Sequence, residues 1–215
     1  VLKKAFENDE DIHRRTAMEV FDVSADEVTP DMRRSAKAIN FGILYGMGPE
    51  GLSRALKQPR KVCKQFITRF FERYPGVQSY IDGNLEFGRK QGYVKTLLGR
   101  RKYYPERNSE NRVKRAAAER AAINLPLQGS ASDIIKLAMV RLFEKLRDAG
   151  LPDSILLQVH DELVLSVPKS RLEEVGDVVG STMTEVVDLE VPMVVNCKAG
   201  PDWLDMEPLQ DYRYG

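Results

Sequence analysis

Cysteine is almost missing from this 215-residue chain. The two that occur, Cys63 and Cys197, stand far apart and in no metal-ligand spacing. That argues against a disulfide framework or a zinc site and fits a reducing compartment. No apolar run approaches the roughly 20 residues that cross a bilayer, no signal peptide opens the chain, and no repeat or low-complexity tract stands out. A membrane is therefore not an expected partner. An initiating methionine is lacking too, and the opening VLKKAFENDEDIH reads as the interior of something longer. The expectation is a fragment or a processed product.

What is present is 42% hydrophobic and 30% charged, enough for a core and one or two domains. The net charge of +1 conceals an asymmetry: residues 31–120 carry 21 Lys/Arg against 8 Asp/Glu, and the remainder carries 12 against 24. A basic stretch of that length points to a polyanionic partner, while the acidic remainder can hold metal ions or simply stay solvated.

Within the basic stretch lies RRSAKAINFGILYG, residues 33–46. On a helix, Arg33, Lys37, Phe41 and Tyr45 recur every fourth position and form one stripe roughly 18 Å long. Ala36, Ile39, Ile43 and Met47 fall on the opposite side and could seat the helix on a core. Leu44 breaks the division by projecting with the stripe. Two cations followed by two aromatics suit a ligand with a polyanionic end and a flat end, such as a nucleoside triphosphate. The electropositive helix N-terminus lies on the cationic side and adds to the attraction. By spacing alone, a solvated basic face with two core aromatics is equally described.

Elsewhere the periodicity predicts mainly helix. Ile12, Thr16 and Val20 mark a short helix before Pro30, which reads as a stop. Residues 49–57 and 59–73 form two helices, the second amphipathic through Val62, Phe66, Ile67, Phe70 and Phe71. Pro75 opens another that ends near Gly92, and residues 93–96 begin an extended excursion through LLGRRKYYP. Residues 109–123 form a helix with Ser109 as N-cap and Ala117, Ala121 and Ala122 as close-packing positions. Pro126 and Gly129 then interrupt it, and residues 130–147 resume as a helix on Ile134, Leu137, Ala138, Val140 and Leu142. Residues 155–167, ILLQVHDELVLSV, predict an antiparallel hairpin with His160 and Asp161 at its tip. A helix over 169–187 and a strand around 193–198 complete an α+β layer. Trp203 could anchor the acidic tail.

Three segments together carry a resemblance. R-x3-K-x3-F-x3-YG at 33–46, RAAINLPLQG at 120–129 and VHDELVLSV at 159–167 closely resemble motifs of the family A DNA polymerases, and GYVKTLLGRR at 92–101 is similar to a stretch of that family's fingers. Phage-type RNA polymerases have a related helix without Phe at the third position, so Phe41 favours deoxynucleotides. The resemblance implies an α+β fold: a mostly helical fingers region over residues 1–120, part of an antiparallel-sheet palm with a metal-binding hairpin over 121–200, and a C-terminal tail over 201–215.

It also implies roles. Arg33 and Lys37 hold the incoming triphosphate with His13 nearby, Phe41 packs on the sugar, and Tyr45 and Gly46 lie where the templating base enters. Arg120, Asn124 and Gln128 read the minor-groove acceptors common to every base pair. Asp161 binds catalytic Mg²⁺ with Glu162 beside it, His160 lies near the primer end, and Lys37 assists the leaving pyrophosphate. Arg100, Arg101 and Lys102 are candidate backbone-phosphate contacts, with a plain solvated basic loop as the equal alternative. The implied reaction is template-directed transfer of a nucleotide from a deoxynucleoside triphosphate to a primer 3′-hydroxyl, in the cytoplasm at a bacterial nucleoid. The implied partners are primer–template DNA, deoxynucleoside triphosphates and an upstream part of the same polymerase. Family members carry a further metal-binding Asp upstream of the position matching Val1, so a non-catalytic nucleotide- and duplex-binding module is the alternative for this chain alone.

Overall fold

The computed structural model describes every residue except Asp153 and Gly215, and the backbone alone for residues 210–214. It divides into two compact units, Val1–Gly129 and Ser130–Gly215.

The first unit is mostly helical, with α1 at Leu2–Glu7, α2 at Ile12–Phe21, α3 at Pro30–Leu44, α4 at Pro49–Leu56, α5 at Arg60–Arg73 and α6 at Pro75–Gln91. Local chemistry sets their ends. Asp11 caps α2 by accepting from the backbone of His13 and Arg14, and Thr29 Oγ1 accepts from Met32 at the start of α3. Pro30 is the first residue of α3 and so opens a helix instead of stopping one; its missing N–H costs nothing there. Val20, Ile39, Ile43, Leu52, Cys63, Phe70, Tyr74, Ile81 and Ile123 form one buried cluster, with Phe66, Ile67 and Phe71 packed against it. The aromatic series of α5 is therefore core. Gly92, in the left-handed region at φ +77°, ends α6 and leads into the hairpin of β1 (Tyr93–Lys95) and β2 (Arg101–Tyr103).

The helix α7 departs most from expectation. It runs without a break over Arg112–Asp148, with Pro126 inside it. Its cap is Asn111, whose Oδ1 accepts from Val113 at 2.9 Å, while Ser109 Oγ accepts from Asn111 itself. Pro126 cannot donate toward the Ala122 carbonyl, a loss of about 3 kcal/mol in a free helix. Tertiary packing outweighs it: Ala118 and Ala122 bury against Val94 and Tyr104 before the proline, and Ile135, Ala138, Leu142 and Leu146 are buried after it. The close-packing face is thus Ala118 and Ala122, with Ala117 and Ala121 exposed; farther on, Val140 is 57% exposed. Gly129 is a contact position and no breaker. A Cβ there would lie 2.6 Å from Thr96 Cγ2, and the Gly129 carbonyl accepts from Arg100 Nη2 at 3.1 Å.

In the second unit, Leu142 and Leu146 pack with Val175 and Val179 of α8 (Leu172–Thr184) and with Ile155, Leu163 and Leu165 of a hairpin. That hairpin pairs β3 (Ile155–Val159) with β4 (Glu162–Leu165), with a register shift between Ile155 and Leu157. A second antiparallel pair joins β5 (Met193–Ala199) to β6 (Glu207–Tyr214). The last strand was not anticipated, because EPLQDYRY carries a proline and no apolar alternation. Trp203 is 52% exposed and belongs to none of the buried clusters among the described residues. No helix of the described residues is long and apolar enough to cross a membrane.

Candidate functional site

Helix α3 displays the stripe as its spacing requires. Ala36, Ile39 and Ile43 are buried, whereas Arg33, Lys37, Phe41 and Tyr45 are exposed, the two rings at 42% and 38%. Leu44 is half-buried. The Phe41 and Tyr45 rings stack with centroids 6.1 Å apart, and the His13 ring lies 5.7 Å from Phe41, tilted against it. Lys37 has no carboxylate partner among the described residues. Arg33 does have one: its Nε donates to Asp11 Oδ2 at 2.6 Å. Asn40 Nδ2 donates to His13 Nδ1 at 3.0 Å, which leaves Nε2 to carry the proton of a neutral ring. The structure therefore gathers His13, Arg33, Lys37, Phe41 and Tyr45 on two packed helices, and adds Asp11 and Asn40.

Those two additions were not read from the sequence. Asp11 and Arg33 are 22 residues apart and His13 and Asn40 are 27 apart, so only the packing of α2 on α3 brings them together. The one local signal was an acid immediately before the helix that carries His13.

The helix end is as specific as its face. Gly46, at φ +72°, donates to the Ile43 carbonyl while Met47 donates to that of Gly42, the paired bonds of a Schellman motif. A Cβ on Gly46 would stand 3.1 Å from Arg120 Cγ and 3.2 Å from Ile123 Cδ1 of α7. The end of the stripe is thereby set directly against Arg120. On α7, Arg120, Asn124 and Gln128 recur every fourth residue and share a face, with Arg120 and Gln128 exposed and Asn124 half-buried. Asn124 Oδ1 has no hydrogen-bond partner among the described residues.

In the second unit the β3–β4 turn consists of His160 and Asp161, with Val159 paired to Glu162. His160 takes φ +55°, as primed hairpin turns require of their first central residue, and its carbonyl accepts from Gln158 Nε2. His160, Asp161 and Glu162 are all exposed. Two adjacent carboxylates form a hard, all-oxygen donor set. That fits Mg²⁺, which binds through one or two carboxylates and fills its other positions with water and phosphate oxygens. No group of three His, Cys, Asp or Glu side chains that could hold a metal occurs among the described residues.

Burial lowers the proton affinity of the His13 imidazole; Asp11 opposes this, and the charges of Arg33 and Lys37 add to it. The folded pKa thus lies below the unfolded value near 6.5, and the unfolded chain takes up the proton first as pH falls. This contribution to stability is full above pH 6.5 and declines below it. Urea midpoints at pH 7.5 and 5.5 should accordingly fall more in wild type than in His13→Gln. Equal falls would mean that His13 does not titrate differently on folding. Asp11, whose burial is outweighed by hydrogen bonds from Arg33 and the Arg14 backbone, is also held below its usual range and stays charged throughout that window.

Comparison with known proteins identifies the family. The sequence profile of DNA polymerase family A matches residues 1–205. DNA polymerase I of Caldicellulosiruptor bescii is 47% identical over 204 residues, covering 95% of this chain and 24% of the relative. The thermostable DNA polymerase I of Thermus thermophilus is 49% identical over 203 residues, covering 94% of this chain and 24% of the relative. A solved structure, the POL domain of Pol1 from M. smegmatis in complex with DNA primer-template and dNTP, superposes with a TM-score of 0.85 at 40% identity. It covers 99% of this chain and 35% of that one. The chain therefore spans about a quarter of the length of the curated relatives it matches. It belongs to DNA polymerase family A.

Proposed function

We propose that this chain is the nucleotide-binding and duplex-reading part of a template-directed DNA polymerase. The observation that carries the reading is the exposed stripe of Arg33, Lys37, Phe41 and Tyr45 on a helix whose opposite face, Ala36, Ile39 and Ile43, is buried. Arg33 and Lys37 bind the triphosphate oxygens through charge-assisted hydrogen bonds, and His13 adds a neutral donor at Nε2. Phe41 packs on the sugar, which places the base toward Tyr45 and Gly46. Arg120, Asn124 and Gln128 donate to the acceptors that every base pair presents in the minor groove, checking shape with little regard to sequence. The primer 3′-oxygen attacks the α-phosphorus, a new P–O bond forms, and pyrophosphate leaves with Lys37 neutralising its developing charge. His160 lies toward the primer end. Mg²⁺ held by Asp161 and Glu162 would lower the electrostatic cost of bringing the hydroxyl and the phosphates together.

Titrating the chain with dGTP tests the stripe. Arg33→Ala and Lys37→Ala should each weaken binding by about tenfold, since a hydrogen bond to a charged group is worth about 1.5–3 kcal/mol. Undiminished affinity in both variants would sink the reading.

A second reading applies to the chain on its own: binding without catalysis. It is favoured by the pair of carboxylates, with no third converging among the described residues, where two-metal sites use several. The 215-residue chain with Mg²⁺ and four deoxynucleotides should bind primer–template and leave it unextended. Sustained template-directed synthesis would refute this.

A further inference from the structure

The Asp11 carboxylate serves two helices at once. Its Oδ1 accepts from the backbone of His13 and of Arg14, both at 3.0 Å, and so caps α2. Its Oδ2 accepts from Arg33 Nε at 2.6 Å, in the first turn of α3. Only Nε of the guanidinium is used; Nη1 and Nη2 make no other hydrogen bond among the described residues, and the side chain is 50% exposed. One group thus fixes the backbone that carries His13 and holds the Arg33 side chain from the Nε side of its planar fork.

We propose that Asp11 is a positioning residue for the triphosphate contact, holding Arg33 by Nε so that the Nη1–Nη2 edge is presented to phosphate oxygens. The inference rests on the nucleotide-binding reading above. An arginine side chain loses considerable rotamer freedom when it engages a ligand, and pre-organising it lessens that loss on binding. Because the cap bonds hold Asp11 in place, and because the far edge of Arg33 is open, an arriving phosphate need not displace the carboxylate. The alternative is a latch, in which Asp11 competes with the ligand for Arg33. The two differ in sign. Removing a negative charge beside a polyanion should by itself tighten binding, so a positioning role is revealed only by weaker binding.

Asp11→Asn is the discriminating variant. Its carbonyl oxygen can still cap α2, while its amide nitrogen presents donors to the Nε–H of Arg33. Calorimetric titration of the full chain with dGTP and with inorganic tripolyphosphate would compare wild type, Asp11→Asn, Arg33→Lys and the double variant. Asp11→Asn should bind both probes about threefold more weakly, in the range of a partly exposed ion pair. In the Arg33→Lys background, which has no Nε edge to hold, it should cause no further loss. Equal or tighter binding by Asp11→Asn, or the same loss in the Arg33→Lys background, overturns the proposal. A wild-type chain that binds neither probe overturns the nucleotide reading and this inference with it, whereas failure of Asp11→Asn to differ from a binding wild type overturns this inference alone. The Arg33 Nε–Hε resonance of wild type gives a second measurement independent of any variant's folding. It should persist when tripolyphosphate binds, and its loss would identify a latch.

Discussion

Asp161→Ala should reduce nucleotide incorporation by about 10³-fold when this chain replaces the matching segment of a full-length DNA polymerase I. Metal-ion charge stabilisation is worth several kcal/mol in a transition state, and about 1.4 kcal/mol corresponds to tenfold in rate. Primer–template affinity should stay nearly unchanged, since the substitution leaves intact Arg120, Asn124 and Gln128, the side chains proposed to read the duplex. Stability should also be spared. The side chain is exposed on a two-residue turn and makes no hydrogen bond or ion pair among the described residues. A carboxylate so placed contributes little to folding and is free to ligate. Single-nucleotide extension and binding titrations run together would decide: extension at near wild-type rate makes Asp161 a turn residue and removes the metal assignment.

Gly46→Val should destabilise the first unit by about 3 kcal/mol, lowering its melting temperature by roughly 6–12 °C. Two costs add. A β-branched residue at φ +72° is forced into the left-handed region, at about 1–2 kcal/mol. The new Cβ also meets Arg120 Cγ and Ile123 Cδ1 at 3.1 and 3.2 Å, so these two side chains of α7 must give by a few tenths of an ångström, and the γ-methyls add to the crowding. Calorimetric melts of wild type, Gly46→Ala and Gly46→Val should fall in that order. A Val variant that melts with wild type would mean that the joint between α3 and α7 is loose.

The stripe was legible because a helical face is a local property. The four-residue spacing shows the face and Gly46 marks the end, whereas Pro30, which reads locally as a stop, in fact opens the helix behind the Thr29 cap. The hairpin tip was legible for the same reason, as two apolar runs with a two-residue junction. Where packing decides, the sequence misled. Pro126 and Gly129 carry the local chemistry of a break, yet burial on both sides keeps α7 continuous, and Gly129 admits the side chain of Thr96. The sequence places Ala117 and Ala121 on the packing face of α7, because in an alanine-rich run several phases of the helix look alike until Val94 and Tyr104 select Ala118 and Ala122. Asp11 escaped notice because an N-cap acid is complete as a local motif; nothing nearby announces that its second oxygen reaches Arg33.

Helix α7 has a mechanical consequence. An α-helix behaves as an elastic rod whose resistance to bending comes from backbone bonds linking successive turns. Pro126 removes one such strut near the middle of a 37-residue rod, and deformation concentrates where struts are missing. That compliant length is flanked by Asn124 and Gln128, while the Arg120 end is braced against Gly46 and the Gly129 end against Thr96 and Arg100. A short, yielding span between two fixed abutments lets the backbone at Asn124 and Gln128 give slightly without disturbing the packing on either side.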